Sequence, residues 1–134
     1  MPERHEPRSE AVTRGVRVTV ESRFIAEQSS EALGRFVFAY HIRIANEGKE
    51  TLQLRTRHWI IADATGRTEE VRGPGVVGET PVLAPGEAFE YTSGAVLRTQ
   101  RGSMRGTYQM HRADGSSFDA QIAPFLLERP YSLN

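Results

Sequence analysis

The sequence predicts an all-β protein folded as an antiparallel β-sandwich. Apolar residues recur with a period of two along most of the chain, turn signals fall about every 8–12 residues, and no segment shows a convincing helical period. The length of 134 residues fits one domain with a single hydrophobic core.

Two segments show the alternation most clearly. Val16, Val18 and Val20 alternate with polar residues, as in a strand with one buried face. The longest alternating run is predicted to be the central core strand, and its apolar residues are Phe36, Phe38, Tyr40, Ile42 and Ile44. The polar residues 27–34 are predicted to form a connecting loop, and residues 46–49 a turn.

The segment 51–63 is predicted to be a strand with an irregularity. Its two leucines share one face, whereas Trp59 and Ile61 fall on the opposite face. A regular strand cannot bury both sets against one core, because a shift of one residue turns every side chain over. Either a β-bulge lies near Arg57 and His58, or both faces of the strand are partly covered.

The remaining predicted strands are short, and turn residues separate them. They are an edge strand at 67–72, strands around 89–91, 104–110 and 118–122, and an additional edge segment at 125–130. About seven short strands of this kind are typical of an immunoglobulin-like or fibronectin type III-like sandwich.

The first residues are predicted to lie outside the sandwich. Residues 1–12 are rich in charge, contain two prolines and lack an apolar run, so we expect a flexible N-terminal tail followed by one domain over 13–134. The same composition excludes the apolar region of a secretory signal, and no later stretch approaches the ~20 apolar residues of a membrane span. A cytoplasmic location without membrane insertion is therefore expected.

Composition excludes several classes of function. With no cysteine, the chain cannot use disulfides, cysteine-based metal sites or a thiol nucleophile. Seventeen basic and 17 acidic side chains give no formal net charge, whereas nucleic-acid binding needs an excess of cations, so nucleic acid is not an expected partner. Lys49 is the only lysine, which removes most candidates for Schiff-base chemistry.

A glycine-rich segment at 73–78 (GPGVVG) matches the G-x-G-x-x-G pattern of dinucleotide-binding loops. In those loops a helix follows and its N-terminus meets the pyrophosphate, but here Pro81 follows and no helical pattern does. Two interpretations stay open: an inter-strand loop, or an anion-binding nest formed by the amides of Gly73, Gly75 and Gly78 with Arg72 beside them.

No combination of residues predicts catalysis, a metal site or a bound cofactor. The histidines form no metal-ligand motif, and His41 and His58 would meet only on adjoining strands of one sheet. The serines lack the G-x-S-x-G elbow. Carboxylate pairs such as Glu69 and Glu70 fall on predicted edges, where they are usually solvated. We therefore expect a protein that is not an enzyme.

Six segments in unbroken order resemble the ApaG family, over about residues 14–130. They are 57–63 (RHWIIAD), 73–79 (GPGVVGE), 81–87 (PVLAPGE), 89–94 (FEYTSG), 102–110 (GSMRGTYQM) and 118–125 (FDAQIAPF). The resemblance implies a fibronectin type III-like sandwich, found alone in bacteria and as a domain of some eukaryotic F-box and polymerase-interacting proteins.

The resemblance also implies a range of functions. Bacterial members are linked with cobalt resistance and magnesium efflux without an established catalytic activity, and the eukaryotic domain is regarded as a protein-interaction module. The family's glycine motif, likened to a pyrophosphate-binding loop, falls on Gly73, Gly75 and Gly78.

Two hypotheses follow. The first is a non-enzymatic module that binds an unidentified protein through Arg57, His58, Trp59 and the 73–78 loop, with a cation-homeostasis role that rests on the resemblance. The second is a nucleotide or pyrophosphate binder that uses the 73–78 loop and Arg72. A homodimer through an exposed edge strand is also left open.

Overall fold

The computed structural model describes residues 6–130, and they form two antiparallel sheets packed face to face. The strands are β1 (Arg8–Thr13), β2 (Val16–Phe24), β3 (Phe36–Asn46), β4 (Leu52–Asp63), β5 (Thr68–Pro74), β6 (Val82–Leu83), β7 (Ala88–Leu97), β8 (Arg101–Arg112) and β9 (Ser117–Glu128). A single 3₁₀ turn, Ala26–Gln28, interrupts the loop after β2. The predicted all-β sandwich is confirmed, with nine strands instead of about seven.

The order of strands explains where the edges of the molecule lie. One sheet has the order β1-β2-β3-β7, and the other has the order β5-β4-β8-β9 with the short β6 paired to β4. Strands β1 and β9 pack beside each other at one side of the sandwich. Strands β7 and β5 are the edges at the other side.

The core lies between the sheets and uses the residues that the alternation predicted. Val16, Val18 and Val20 are fully buried, as are Ile42 and Ile44 of β3. The facing sheet supplies further fully buried side chains, which include Tyr108, Met104, Met110, Phe125 and Leu127. Burial of these alternate positions is the main force that holds the two layers together.

A β-bulge in β4 resolves the conflict between its leucines and Trp59. The pairing with β8 shifts between Leu54 and Thr56, so Arg55 is the extra residue. Leu54 before the bulge and Trp59 after it are then both buried, at 0% and 3% exposure. The bulge was predicted near Arg57 and His58 and lies just before them, because the backbone ladder and not side-chain parity fixes its position.

The prediction of a flexible tail over residues 1–12 is wrong for residues 8–12. They belong to β1, which pairs with β2 from Arg8 to Thr13. No side chain of β1 is fully buried, so apolar periodicity gave no signal; backbone pairing holds the strand in place. Residues 1–5 lie outside the described part of the chain.

The C-terminal end of the sandwich continues a strand that was predicted to stop earlier. Residues 125–128, expected as an additional edge segment, extend β9 to Glu128. A shift in the β8–β9 pairing between Met104 and Gly106 lets β9 bury Ile122 before the irregularity and Phe125 after it. No helix within residues 6–130 is long and apolar enough to cross a membrane.

Candidate functional site

The sandwich is fastened on one side and open on the other. On the fastened side, Ser9 Oγ donates to the Ala123 carbonyl at 2.8 Å, and the Gln121 amide donates to Thr13 Oγ1 at 3.0 Å. On the open side, β7 pairs only with β3 and β5 pairs only with β4 within residues 6–130. The open side therefore exposes unpaired backbone groups of both sheets.

The free edge of β7 runs along its whole length. The Asn46 amide donates to the Glu87 carbonyl at 2.9 Å, which fixes the alternation of the β3–β7 ladder. Odd-numbered residues of β7 therefore bond to β3. The even-numbered residues direct their amides and carbonyls away from the sheet: Ala88, Glu90, Thr92, Gly94 and Val96.

The two open edges differ in protection. Strand β5 carries Glu69, Glu70 and Arg72, and Pro74 occupies a position whose amide would point outward. Charges and proline are the usual means of blocking an edge. Over its ten residues β7 has neither proline nor lysine, and Glu90 is its only charged residue. Strand β7 is thus a long, regular edge with little to stop a further strand from pairing.

His41 holds the outer face of β7 in place. Its Nδ1 lies 2.9 Å from Thr92 Oγ1 and its Nε2 lies 2.9 Å from a carboxylate oxygen of Glu90. Both contacts cross from β3 to β7 on the solvent side. The single charge of the edge is thereby held over β3, away from the free backbone groups.

The side chain of Arg57 lies between the two sheets, on the side of the sandwich where β5 and β7 are the edges. The bulge at Arg55 places Arg57 on the same face of β4 as the buried Trp59. Arg57 Nη1 donates to the carbonyls of Pro74 and Gly75 at 2.7 and 2.8 Å. A Cβ atom at Gly73 would lie 3.0 Å from Arg57 Nη2, so the bare backbone of Gly73 gives the guanidinium its space.

The glycine-rich segment is the end of β5 followed by a tight hairpin turn. Val76 and Glu79 exchange two backbone hydrogen bonds of 2.8 and 2.9 Å around Val77 and Gly78. Both central residues have positive φ, 43° and 82°, as in a type I′ turn. The Gly75 amide donates to the Arg55 carbonyl at 2.8 Å. The amides of Gly75 and Val76 in this segment are therefore already paired.

Three tyrosines surround the inner end of Arg57. Burial raises the pKa of Tyr40, Tyr91 and Tyr108, while the positive charge of Arg57 acts in the opposite direction on each. The hydroxyls of Tyr91 and Tyr108 lie 2.5 Å apart and satisfy each other's hydrogen bonding in the core. Trp59 contacts this group edge-on, with its ring centroid 5.4 Å from that of Tyr40.

The sequence-predicted interaction residues do not share a surface. Trp59 is buried at 3% exposure and packs in the core, so it offers little surface to a protein partner. Arg57 faces the interior beside it, whereas His58 lies on the outer face, 3.2 Å from Glu70. The cause is the alternation of a strand, which sends neighbouring side chains to opposite faces.

The predicted anion-binding residues are also divided. Gly73 pairs with Arg57 and Arg72 pairs with His58, and both Arg72 and Gly73 line a groove on the outer face of the sheet. Gly75 and Gly78 belong to the hairpin turn. Among the four, the structure does not converge a guanidinium and free amides on one point.

His41 and His58 belong to different sheets. His41 is on β3 and His58 is on β4, in different sheets, so they do not adjoin. Within residues 6–130, no group of three or more histidine, aspartate or glutamate side chains is placed to hold a metal ion.

The β7 edge was not predicted as a functional element. The sequence does contain a pattern that suits self-pairing, because residues 89–91 (FEY) are large and residues 93–95 (SGA) are small. Only the sheet order, however, shows that this strand is an edge. The interior position of Arg57 was equally hidden, since it depends on the bulge.

This two-sheet antiparallel arrangement is that of fibronectin type III-like β-sandwich domains. The sequence profile of the ApaG domain matches residues 26–112, and the chain belongs to the ApaG domain family. The resemblance found in the sequence is thereby confirmed.

Relatives align along nearly the full length of the chain. Protein ApaG of Rhodospirillum centenum is 59% identical over 120 residues, which cover 90% of this chain and 92% of that protein. Protein ApaG of Anaeromyxobacter dehalogenans (strain 2CP-C) is 59% identical over 126 residues, or 94% and 99%. A crystal structure of the putative ApaA protein from Bordetella pertussis superposes with a TM-score of 0.84 at 46% identity, covering 96% of this chain and all of that one.

Proposed function

We propose that this protein is a non-enzymatic interaction module that docks another chain by adding a strand to β7. The observation that supports this function is the free, regular edge of β7, ten residues long with one charge. In strand addition the backbone groups of an edge supply affinity, and alternate side chains supply specificity. Both are available along β7.

The order of side chains in β7 favours a second copy of the same strand as the docked partner. Antiparallel pairing about Thr92 would place residue 91 opposite 93, 90 opposite 94 and 89 opposite 95 of the other copy. Tyr91 would then face a serine, Glu90 a glycine and Phe89 an alanine. Large side chains meet small ones, and the two Glu90 carboxylates stay apart. A twofold pairing of this kind is self-complementary.

A role in cobalt resistance or magnesium efflux, as the family resemblance suggests, would be exerted through a docked protein. In this proposal the chain contributes an edge and a stable scaffold, and a partner contributes the cation chemistry. Self-pairing would then regulate how many edges are free.

Sedimentation velocity over a wide range of concentrations tests the proposal. The purified chain is expected to form a dimer. Thr92→Pro should give a monomer, because it removes an outward amide; it also removes the Thr92 contact to His41 but no backbone hydrogen bond of the β3 ladder. Thr68→Pro is the matched control: its amide points outward from β5, as position 74 of that strand already shows, and it should remain a dimer.

Circular dichroism and urea unfolding would verify that both variants are folded. A wild-type chain that sediments as a monomer at every concentration would contradict pairing through a second β7. A dimer that survives Thr92→Pro would place the interface elsewhere and contradict it equally.

A further inference from the structure

A cleft of about 300 Å³ opens between the two sheets beside the hairpin turn of residues 75–79. Its walls come from both sheets and the turn: Tyr40, Arg57, Trp59, Val76, Tyr91 and Ser93. The core-facing side chains of β7 form one wall, so this site uses different groups from the backbone edge to which a strand would pair.

Arg57 is the only charged residue that lines the cleft. Within residues 6–130 no carboxylate lies within 4.0 Å of its guanidinium, although six arginine–glutamate ion pairs form elsewhere in that part of the chain. Its Nη1 is held by the carbonyls of Pro74 and Gly75. The side chain is therefore fixed in position, and its positive charge has no anionic partner.

Fixing the guanidinium in advance is what an oxyanion site requires. Both contacts of Arg57 are to neutral carbonyls, which orient the group without cancelling its charge. The Ser93 and Tyr40 hydroxyls also line the cleft and are hydrogen-bonded to each other, which leaves one of their two protons for donation to a ligand. A guanidinium binds a carboxylate through two parallel hydrogen bonds, which is stronger than neutral hydrogen bonding.

The charge of Arg57 and the walls of the cleft determine which class of anion the cleft can bind. One guanidinium balances one negative charge, whereas a pyrophosphate brings several. Trp59, Val76 and Tyr91 contribute apolar atoms to the walls but are almost fully buried. The exposed apolar wall is therefore Val77 of the turn, which a bare inorganic anion would leave unused. A single carboxylate on a short apolar body matches both features.

We propose that the Arg57 cleft binds a small organic carboxylate, with the carboxylate on the guanidinium and the apolar body against Trp59 and the turn. The proposal assigns to Arg57 a role in holding a ligand inside the sandwich. It does not depend on the pairing of β7.

Hexanoate is a suitable probe, and Trp59 is a built-in reporter because it is the only tryptophan of the chain. At constant ionic strength, hexanoate should change the Trp59 fluorescence in a saturable way. The neutral hexanamide should bind about tenfold more weakly or worse, because a charge-assisted hydrogen bond is lost.

Three variants test which residues are needed for hexanoate binding. Arg57→Met should weaken hexanoate binding about tenfold or more. Because it also removes two contacts to the turn, Ser93→Asp serves as a second variant: it places a carboxylate beside Arg57 and should abolish binding while the turn contacts remain. Arg72→Gln, on the outer face of β5, is the matched control and should bind like the wild type.

Each other outcome overturns the proposal. Equal binding of hexanoate and hexanamide would indicate an apolar pocket without a role for charge. Saturation by phosphate or pyrophosphate but not by hexanoate would assign a different class of ligand. The proposal would also be contradicted if no probe gave a saturable fluorescence change, or if Arg57→Met bound hexanoate as tightly as the wild type. The titration is repeated with Thr92→Pro, which should still bind hexanoate. This control distinguishes a failure of the carboxylate site from a failure of β7 pairing.

Discussion

At the scale of single residues, burial decides the chemistry of the tyrosines around Arg57. Tyr108 is completely buried, and Tyr91 and Tyr40 are exposed by only 8% and 6%. Removing a phenolate from water is costly, so the folded protein favours the neutral hydroxyls and raises their pKa. The Tyr91–Tyr108 hydrogen bond exists only while at least one of the two remains protonated.

The raised pKa values of the buried tyrosines predict that the protein loses stability at alkaline pH. Above about pH 10 the unfolded chain releases phenolic protons that the folded chain keeps, so the free energy of unfolding falls as pH rises toward the folded pKa. The slope is up to about 1.4 kcal/mol per pH unit for each tyrosine. Urea unfolding from neutral pH to about pH 11 measures it.

Tyr108→Phe separates this effect from general alkaline unfolding. The variant should be less stable at neutral pH, because Tyr91 loses its buried partner, but its decline with pH should be shallower by about the slope of one tyrosine. Parallel pH profiles for the wild type and the variant would contradict the assignment.

At the scale of elements, one extra residue in β4 organises the open side. Arg55 lies between two stretches of opposite parity, and it allows Leu54 and Trp59 to face the same core. The same shift sends Arg57 inward, where it meets the turn after β5. The bulge therefore connects core packing with the geometry of the cleft.

The hairpin turn after β5 carries local strain at Val77. This β-branched residue has a φ of 43°, a region that suits asparagine or glycine far better, and its side chain is 55% exposed. Val77→Asn would create the Asn-Gly pair preferred in type I′ turns. We expect it to stabilise the fold by about 1 kcal/mol, as measured by urea unfolding.

Val96 provides the control for the turn variant. It is a valine with the same 55% exposure, but it lies in β7 and is not among the residues with positive φ. Val96→Asn should not stabilise the protein, since asparagine is disfavoured in strands. Equal effects of the two substitutions would show that backbone strain at Val77 is not the cause.

At the scale of the whole molecule, β1 closes the side of the sandwich opposite the cleft. It covers the edge of β2 and reaches β9 through Ser9, Thr13 and the Glu6 carbonyl, which accepts from the Leu126 amide at 2.6 Å. The strand buries little apolar surface, so its contribution is mainly backbone pairing and protection of an edge.

Deleting residues 1–13 should therefore be harmful, although this segment has the composition of a tail. We expect a loss of at least about 2 kcal/mol in the free energy of unfolding, at about 1 kcal/mol for each net hydrogen bond removed, together with aggregation through the exposed β2. Unfolding and light scattering measure the two effects. Deletion of residues 1–5 alone, with β1 kept, is the reference, and the longer deletion should be clearly less stable than it; equal stability of the two would contradict the structural role of β1.

The sandwich class and most of its core can be predicted from the order of residues alone. Alternation over Val16–Val20 and Phe36–Ile44 is a local property of the chain, because side chains of a strand alternate between faces whatever the strand pairs with. The turns and the absence of cysteine are equally local, and the same holds for the family resemblance, which depends on residues in order.

The free edges, the position of the β4 bulge and the surroundings of Arg57 could not be predicted, because they depend on contacts between residues distant in sequence. Within residues 6–130, β7 pairs only with β3, and the turn after β5 contacts the Arg57 guanidinium. β1 was missed for the same reason, since a strand held by backbone hydrogen bonds leaves no apolar pattern to detect.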